Sequence, residues 1–380
     1  MKLLMTQIFG LILITSSLAQ SLNLDWSFQT SDRIIASPLI QGETVFVGNE
    51  RGDFYAVSLT GVEQWKIETG GNIQAKATWV DGNVFFESAN VFYLVNAKSG
   101  KEVWRFDTAM KPFVFKYDGK EFPFKIDPYD DKRSTAFVHQ ETIYIGCGNG
   151  KVYGLDAKSG EVEVEYQTED NSPIRSSPLV EDGKLYFGGW NGVVYCYSLA
   201  DKELMWKKKT YRGEKPYGTF GGIVSEFLIH KGLLYFGARN HMLNVLEAST
   251  GEKDWTYTDK NGGWIIGDPV IYNDTLYMGG SDNFTMYAFG TRWGNPIWAH
   301  NNGNKNIYTK PIVTNDWVIY SCGSGYNPAA SGVLYLIDRM TGKEVDKYDT
   351  PMTTLSSPEL AGNQVVFGCY DGKIYTIKLE

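Results

Sequence analysis

The sequence lacks the features that mark several large classes of protein. Its 380 residues include only 13 Pro and 4 Cys, and no segment after the N-terminus approaches the length of a membrane-spanning helix. The net charge is −8, and no basic run exceeds Lys207-Lys208-Lys209. We therefore predict neither a transmembrane segment nor binding to nucleic acid, since nucleic-acid binders usually carry a basic stripe.

Signals of catalysis are also missing. The 4 His are scattered without the spacing of metal ligands, and no G-x-S-x-G motif is present. Asp127, Asp130 and Asp131 form an acidic cluster, but it lacks the D-x-D-x-D-G pattern of a calcium loop and is typical of a solvated loop. We predict no catalytic residue, no metal site and no cofactor.

The first 19 residues have the pattern of a signal peptide. Lys2 precedes an apolar stretch from Leu3 to Ile14, and Ser17-Leu18-Ala19 has small residues at both cleavage-specificity positions. We expect cleavage after Ala19. A bacterial lipoprotein would have Cys as its first mature residue, whereas this chain has Gln20. The sequence therefore predicts a soluble, periplasmic or secreted protein that is not a lipoprotein.

Aromatic residues are abundant, with 24 Tyr, 20 Phe and 11 Trp, and they recur at regular intervals. Seven of eight similar four-residue segments carry Tyr at the second place; the segments are 54–57, 92–95, 152–155, 194–197, 243–246, 286–289, 334–337 and 374–377. Before each segment comes a strand that ends in Gly, or in Glu87 or Ser321 as a substitute, followed by a turn. Short strands repeating at this interval are typical of a β-propeller.

A strand that carries Trp follows most of these segments. The matching residues in units one to seven are Trp65, Trp104, Val164, Trp206, Trp255, Trp298 and Asp346. The eighth unit stops at Glu380 after three strands, and Trp26, within Leu22 to Gln29, supplies the missing one. We predict an all-β fold: a single domain over residues 20–380, an eight-bladed β-propeller of four-stranded antiparallel blades, closed by the N-terminal strand pairing into the last blade.

Three segments are close matches to a known repeat: Ser177-Pro178, Leu185-Tyr186-Phe187-Gly188 and residues 97–104. Through them, residues 22 to 380 resemble the pyrroloquinoline-quinone (PQQ) repeat family. The resemblance implies that the Trp of one blade packs against the next blade, which makes Trp26, Trp65, Trp104, Trp206, Trp255 and Trp298 structural residues. One repeat serves enzymes, assembly factors and sensor domains, so the fold does not assign a function.

The quinoprotein dehydrogenases of this superfamily are much longer and carry two adjacent cysteines beside the cofactor. No two cysteines are adjacent here, which disfavours a PQQ-dependent enzyme. Cys196 is expected to be a buried, inert thiol. Cys322 and Cys369 occupy equivalent places in neighbouring blades, and a disulfide between them stays a minority hypothesis, because equivalent positions in adjacent blades rarely come within about 7 Å.

Three insertions project from one face of the disc. Segment 109–133 lies between blades two and three, segment 211–222 between blades four and five, and segment 323–332 between the second and third strands of blade seven. Connections between successive blades and connections between the second and third strands of a blade emerge on the same side of an up-and-down blade. We name this side the insertion-bearing face. Function commonly resides on such loops, and the candidate interaction residues are Arg51, Trp190, Tyr217, Phe220, Arg239, His241, Tyr326 and Tyr370.

Basic residues also stand near the starts of the inner strands. Arg33, Lys76, Arg133, Arg175 and Lys310 are candidates for a ring around the mouth of the central channel. In a protein of negative net charge, such a ring would form a local positive funnel for an anionic group. Strand alternation would equally allow several of them to point away from the channel.

We interpret the chain as a non-catalytic, monomeric, extracytoplasmic scaffold that binds an envelope or secreted protein through the insertion-bearing face. By size and blade count it is similar to the propeller subunits of the outer-membrane β-barrel assembly machinery, although those are lipoproteins. The alternative is a binder of a small ligand or glycan, or a quinoprotein-like enzyme, that uses the central channel.

Overall fold

Eight sheets of four strands each form the protein. The computed structural model describes residues 20–110, 114–117, 119–123, 133–211 and 222–380. Eight four-stranded antiparallel sheets and one two-stranded sheet account for all strands of the described residues. This part of the chain contains no helix with the length and apolar character of a membrane span. The predicted eight-bladed propeller is confirmed.

Blades one to four follow one another along the first half of the chain. The first strand, β1 Leu22–Gln29, belongs to the last blade. The strands that follow are β2 Leu39–Gln41, β3 Thr44–Gly48, β4 Asp53–Ser58 and β5 Glu63–Glu68 in blade 1; β6 Thr78–Val80, β7 Asn83–Ser88, β8 Val91–Asn96 and β9 Glu102–Asp107 in blade 2; the separate hairpin β10 Val114–Tyr117 and β11 Lys120–Pro123; β12 Phe137–His139, β13 Thr142–Gly146, β14 Lys151–Asp156 and β15 Val162–Gln167 in blade 3; and β16 Leu179–Glu181, β17 Lys184–Gly188, β18 Val193–Ser198 and β19 Leu204–Lys209 in blade 4.

Blades five to eight repeat the same order of inner to outer strands. They contain β20 Leu228–His230, β21 Leu233–Ala238, β22 Met242–Glu247 and β23 Lys253–Tyr257 in blade 5; β24 Val270–Tyr272, β25 Thr275–Gly279, β26 Thr285–Gly290 and β27 Pro296–Asn301 in blade 6; β28 Ile312–Val313, β29 Trp317–Cys322, β30 Gly332–Asp338 and β31 Glu344–Thr350 in blade 7; and β32 Glu359–Ala361, β33 Gln364–Gly368 and β34 Lys373–Leu379 in blade 8, with β1 as its outer strand.

The ring closes as the sequence predicts. β1 pairs antiparallel with β34, from Leu22 opposite Leu379 to Gln29 opposite Lys373. Beyond the strands, the Ser21 N–H donates to the Glu380 carbonyl at 2.7 Å, and the Glu380 N–H donates back at 3.1 Å. This pairing gives blade 8 its fourth strand. It covers the edge of β34 and the facing edge of β1, so two exposed sheet edges are removed.

The hydrophobic core lies between adjacent blades. Phe54 of blade 1 stacks on Phe86 of blade 2 with ring centroids 4.0 Å apart. One cluster joins Phe92 of blade 2 to Tyr153 of blade 3, and both side chains are buried. Each fully buried side chain of this size contributes about 1.5–3 kcal/mol, so the ring is stabilised by contacts that repeat from blade to blade.

Six tryptophans tie each blade's outer strand to the next blade. Each indole Nε1–H donates to a backbone carbonyl in the turn between the third and fourth strands of the following blade; the pairs are Trp26 to Leu59 at 2.8 Å, Trp65 to Ala97 at 3.0 Å, Trp104 to Ala157 at 3.1 Å, Trp206 to Ala248 at 3.2 Å, Trp255 to Thr291 at 3.3 Å and Trp298 to Arg339 at 2.9 Å. These contacts agree with the structural role that the resemblance implies.

Two local features place the indoles. A one-residue register shift precedes the Trp position in all eight blades, and such a bulge re-aims the side chain that follows it. The turn that receives the ring contains a glycine. At Gly160, where φ is +74°, an added Cβ would lie 2.6 Å from Trp104 Cδ2, so no larger residue fits without displacing the ring.

Glycine also ends most second strands for a steric reason. An isoleucine of the next blade's inner segment occupies the space that a Cβ would take at Gly146, where the neighbour is Ile174. In blade 7 the substitute Ser321 donates its hydroxyl to the Ser356 carbonyl of blade 8 at 2.5 Å. The repeated Gly is therefore a consequence of close packing around the channel.

All four cysteines are buried and free. The Cys322 thiol donates to the Val333 carbonyl at 3.6 Å, and the Cys369 thiol donates to the Met352 carbonyl at 3.3 Å. Each thiol is directed at a backbone carbonyl near its own strand, so the hypothesis of a Cys322–Cys369 disulfide is wrong. Burial raises the pKa of Cys196 to about 11, in line with the expectation of an inert thiol.

Candidate functional site

The central channel contains a cavity of about 100 Å³. One residue from each blade lines it at an equivalent position just before the inner strand; in blade order these are Ser37, Lys76, Thr135, Ser177, Glu226, Asp268, Lys310 and Ser357. Blade packing brings these positions together although they are distant in sequence. The ring therefore presents hydroxyl, ammonium and carboxylate groups to one space.

Backbone donors connect neighbouring members of this ring. In four places the N–H of one blade's ring residue donates to the side-chain oxygen of the next; the pairs are Thr135 to Ser177 at 3.0 Å, Glu226 to Asp268 at 2.7 Å, Lys310 to Ser357 at 2.9 Å and Ser357 to Ser37 at 2.9 Å. A short oxygen-bearing side chain at this position thus satisfies a buried backbone donor. This explains why Ser stands at this position in Ser37-Pro38, Ser177-Pro178 and Ser357-Pro358.

Two ion pairs span the channel wall. Lys310 Nζ of blade 7 lies 2.6 Å from Glu226 Oε2 of blade 5, and Lys76 of blade 2 pairs with Glu359 of blade 8. Each pair passes over one intervening blade. Burial lowers the pKa of Lys310, but Glu226, Asp268 and Glu359 outweigh that effect and raise it above its ordinary value. Both lysines therefore act mainly as internal partners of carboxylates.

An arginine in contact with two indole rings forms one side of the site. The Arg239 guanidinium lies 4.7 Å from the ring centroid of Trp190 and 5.0 Å from that of Trp264. Trp190 belongs to the β17–β18 turn, Arg239 to the β21–β22 turn and Trp264 to the connection after β23. Cation–π contact with both rings restrains the position of the guanidinium.

Two buried polar groups on the cavity wall have no hydrogen-bond partner. Gln74 is 5% exposed, and neither its amide oxygen nor its amide nitrogen is bonded. Trp190 is 4% exposed, and its indole Nε1–H is likewise unbonded. Both residues line the cavity. Buried polar atoms are nearly always paired in native proteins, so these two call for an explanation.

On the insertion-bearing face, the blade 7 insertion folds back over the disc. Tyr326 is 56% exposed, and its hydroxyl donates to Asp282 Oδ1 of blade 6 at 2.5 Å. The Gly325 N–H donates to Asn306 Oδ1 at 2.8 Å, and the Ser324 N–H donates to the Thr353 hydroxyl at 3.0 Å. The loop is therefore anchored to blades 6 and 8 and presents Tyr326 on a fixed support.

The predicted interaction residues do not form one exposed surface. Arg51 and Tyr326 are exposed and His241 is half-buried, whereas Trp190, Arg239 and Tyr370 are buried. The expectation that these last three are exposed is wrong, because their side chains pack inward from the turns. Tyr217 and Phe220 lie outside the described residues, as do residues 1–19 and most of segment 109–133.

The predicted channel-mouth residues divide into two groups. Lys76, Arg133 and Lys310 line the cavity, whereas Arg33 and Arg175 are not among its lining residues. Arg33 pairs with Glu50 at 3.4 Å, and Arg175 is buried beside a smaller cavity near Cys147. The lining also includes the three carboxylates Glu226, Asp268 and Glu359, so the cavity has mixed charge.

Several residues of the site escaped the sequence analysis, among them Gln74, Trp264 and the three carboxylates Glu226, Asp268 and Glu359. A usable signal existed for two of them, since Glu226 and Asp268 stand at the place that Ser occupies in other repeats. The described residues contain no group of three or more His, Cys, Asp or Glu side chains that could hold a metal ion.

Comparisons with known proteins place these features in context. A family model described as outer membrane protein assembly factor BamB matches residues 20–218 and 190–377. The chain is 22% identical over 298 residues to the outer membrane protein assembly factor BamB of Yersinia pestis, covering 75% of this chain and 68% of that protein. It is 24% identical over 233 residues to the quinohemoprotein alcohol dehydrogenase ADH IIB of Pseudomonas putida, covering 58% of this chain and 28% of that protein.

The fold also agrees with a solved structure. The crystal structure of BamB from Moraxella catarrhalis superposes with a TM-score of 0.72 at 14% sequence identity, covering 94% of this chain and 99% of that chain. At this identity the likeness shows the fold alone.

Proposed function

Since the chain belongs to the family of the outer membrane protein assembly factor BamB, we propose that it is a non-catalytic scaffold that binds a protein partner during the assembly of outer-membrane proteins. The observation that carries this proposal is the family match, which extends over almost the whole propeller. The sequence similarity to the quinohemoprotein alcohol dehydrogenase covers only 28% of that enzyme, so most of the enzyme's sequence lies outside the matched region.

The partner is proposed to bind the insertion-bearing face. Tyr326 supports this choice, because it combines a large exposed ring with a loop fixed by bonds to blades 6 and 8. Rigid aromatic side chains with a polar end are favoured at protein interfaces, since little side-chain entropy is lost on binding. The β10–β11 hairpin joins blades 2 and 3 on the same face and carries the exposed ion pair Lys116–Glu121 at 2.7 Å.

The scaffold is proposed to act outside the cytoplasm as a monomer. The signal-peptide pattern of residues 1–19 supports export, and Gln20 after the expected cleavage point argues for a mature chain without a lipid anchor. N-terminal sequencing of the exported protein tests both statements. A mature chain that begins elsewhere, or that carries a lipid, would contradict them.

Site-specific photo-crosslinking in the native cell tests the binding face. A photoreactive residue replaces Tyr326 in one variant and Met340 in another. Met340 is a suitable control, because it is 68% exposed and lies in the β30–β31 turn of the same blade, on the opposite face. We expect a discrete crosslinked partner from position 326 and none from position 340.

Other outcomes of this experiment contradict the proposal in different ways. Crosslinking from position 340 alone would assign the partner to the other face. No partner at either position, together with unchanged amounts of outer-membrane proteins after deletion of the whole gene, would overturn the scaffold function itself.

A further inference from the structure

The channel cavity has the features of a small-molecule site. Gln74 and Trp190 come from different blades, both line the cavity, and both have buried, unbonded polar atoms. An unbonded buried amide destabilises a fold, because the group loses its bonds to water without replacing them. A bound ligand that makes hydrogen bonds to these groups would offset that cost.

The unbonded groups specify what that ligand must carry. An indole N–H can only donate, and the Gln74 amide offers a donating nitrogen and one accepting oxygen. Donors therefore outnumber acceptors. Arg133 and Arg239 line the same cavity, together with Lys76 and Lys310, which pair with carboxylates. This arrangement favours anionic oxygen atoms over a neutral ligand or a cation.

The cavity also limits the size of the ligand. A water molecule requires roughly 10–15 Å³ measured in the same way, so about 100 Å³ holds several water-sized groups. Ile35, Val224, Ile266 and Leu355 give part of the wall an apolar character, which suits a short carbon chain. Gly325, in the blade 7 insertion, borders the cavity on the insertion-bearing face.

We propose that the central channel binds a small organic carboxylate, with its anionic oxygens on the Gln74 amide and the Trp190 indole, beside the Arg239 guanidinium. This inference does not rest on the scaffold function, because the site lies inside the ring and its residues are distinct from Tyr326. The ligand is held by charge-assisted hydrogen bonds in a partly dehydrated space, where such bonds are strongest.

Isothermal titration calorimetry on the full mature chain tests the proposal, in a low-salt buffer free of carboxylates. The probes are succinate and citrate, with inorganic phosphate and glucose as comparisons. We expect saturable binding of at least one carboxylate in the millimolar range or tighter. Gln74→Leu and Trp190→Phe should each weaken it by about tenfold or more, as expected when a hydrogen bond to a charged group is lost.

Matched variants separate a binding role from a structural one. Gln64→Leu and Trp293→Phe make the same chemical changes at exposed positions outside the cavity and should leave binding unchanged. Gln74→Leu should also raise the melting temperature of the ligand-free protein, since it removes an unbonded buried amide. A folded variant that is more stable yet fails to bind is the signature of a ligand site.

Three results would overturn the proposal. The first is the absence of saturable binding by either carboxylate in the wild-type protein. The second is unaltered affinity in folded Gln74→Leu and Trp190→Phe variants. The third is binding of phosphate or glucose without binding of a carboxylate, which would assign the cavity to a different class of ligand.

Discussion

The outer rim of the propeller and the wall of its channel are built from the same eight repeats, yet they treat equivalent positions differently. At the rim, six of eight blades carry a Trp whose indole donates to the next blade's turn, with donor–acceptor distances between 2.8 and 3.3 Å. At the channel, the equivalent residues include hydroxyls, lysines and carboxylates. At the rim, each outer strand packs against a neighbouring blade of similar structure, so the same residue type recurs. At the channel, the side chains share one central space, so the residue type differs from blade to blade.

Of the two exceptions at the rim, Val164 in blade 3 and Asp346 in blade 7, the second supports this view. Blade 7 has Asp346 in place of Trp, and its carboxylate accepts the Leu22 N–H of β1 at 2.7 Å. That substitution occurs where the next outer strand is supplied by the other end of the chain. The rim thus departs from its pattern at the closure, where the neighbouring strand differs in origin.

Deletion of residues 20–30 breaks the rim most severely. It removes β1, exposes an edge of β34 and abolishes the Trp26 contact with blade 1. We expect a loss of more than about 5 kcal/mol, enough to prevent stable folding of a domain with ordinary stability. Circular dichroism and size-exclusion chromatography measure this. Replacing Val114–Pro123 by a short Gly-Ser linker should leave the melting temperature nearly unchanged, and equal stability of the two deletions would contradict the closed-ring interpretation.

Trp104→Ala probes a single rim contact. Trp104 is 8% exposed and packs on Gly160 of the next blade, so truncation should cost about 3–5 kcal/mol in the free energy of unfolding. Trp293→Ala removes an indole that is 74% exposed and should cost less than about 0.5 kcal/mol. Chemical denaturation measures both. Similar losses in the two variants would remove the distinction between docked and exposed tryptophans.

Lys310→Met tests the channel wall, where we expect a smaller effect. The side chains of Lys310 and Glu226 are 43% and 24% exposed to the channel, so breaking the pair should cost about 1 kcal/mol. Adding Glu226→Gln should restore part of that loss. Lys158→Met breaks a surface pair whose side chains are 75% and 72% exposed and should have no measurable effect. A loss as large as that of Trp104→Ala would show that the channel wall is as structural as the rim.

The smallest expected effect is a pH dependence of stability that comes from His300, in the outer strand of blade 6. Burial lowers the pKa of His300 below its ordinary 6.5, and the opposing influence of Glu344 is weaker. The folded state therefore resists protonation, so stability is unaffected above pH 6.5 and falls as the pH drops below it. His300→Gln should flatten this part of the stability profile. Unchanged acid sensitivity of a folded His300→Gln variant would contradict this assignment.

The repeat pattern was sufficient for the fold but not for the channel. Trp26 could be assigned to the last blade because it stands eleven residues before Ser37, as Trp65 stands eleven residues before Lys76. No such rule places Gln74 or Trp264, which belong to connections whose side-chain directions depend on the blades around them. Trp190 was found by its turn, but whether a turn residue packs inward depends on neighbours such as Gly222, where an added Cβ would lie 2.7 Å from its ring.

The charges of the channel were similarly difficult to interpret. Lys76 and Lys310 were identified as channel residues, but their carboxylate partners come from blades two positions away. A strand pattern records which side chains share a face of one blade, and it contains no information about distances across the ring. Comparing the same position in all eight repeats would have shown that Glu226 and Asp268 belong with the lysines.

The hydrogen bonds between Ser21 and Glu380 have a consequence for how the protein is made. The first strand of the ring to leave a ribosome or an export channel is one of the last that can pair, because its partner β34 is the last strand of the propeller. Throughout synthesis, β1 and the growing edge of the newest blade stay open together, and closure must join residues at the greatest possible separation in sequence. Two unpaired strand edges are therefore exposed until the ring closes, and both can pair with other chains. A chaperone that covers these edges would increase the fraction of the protein that reaches its native state.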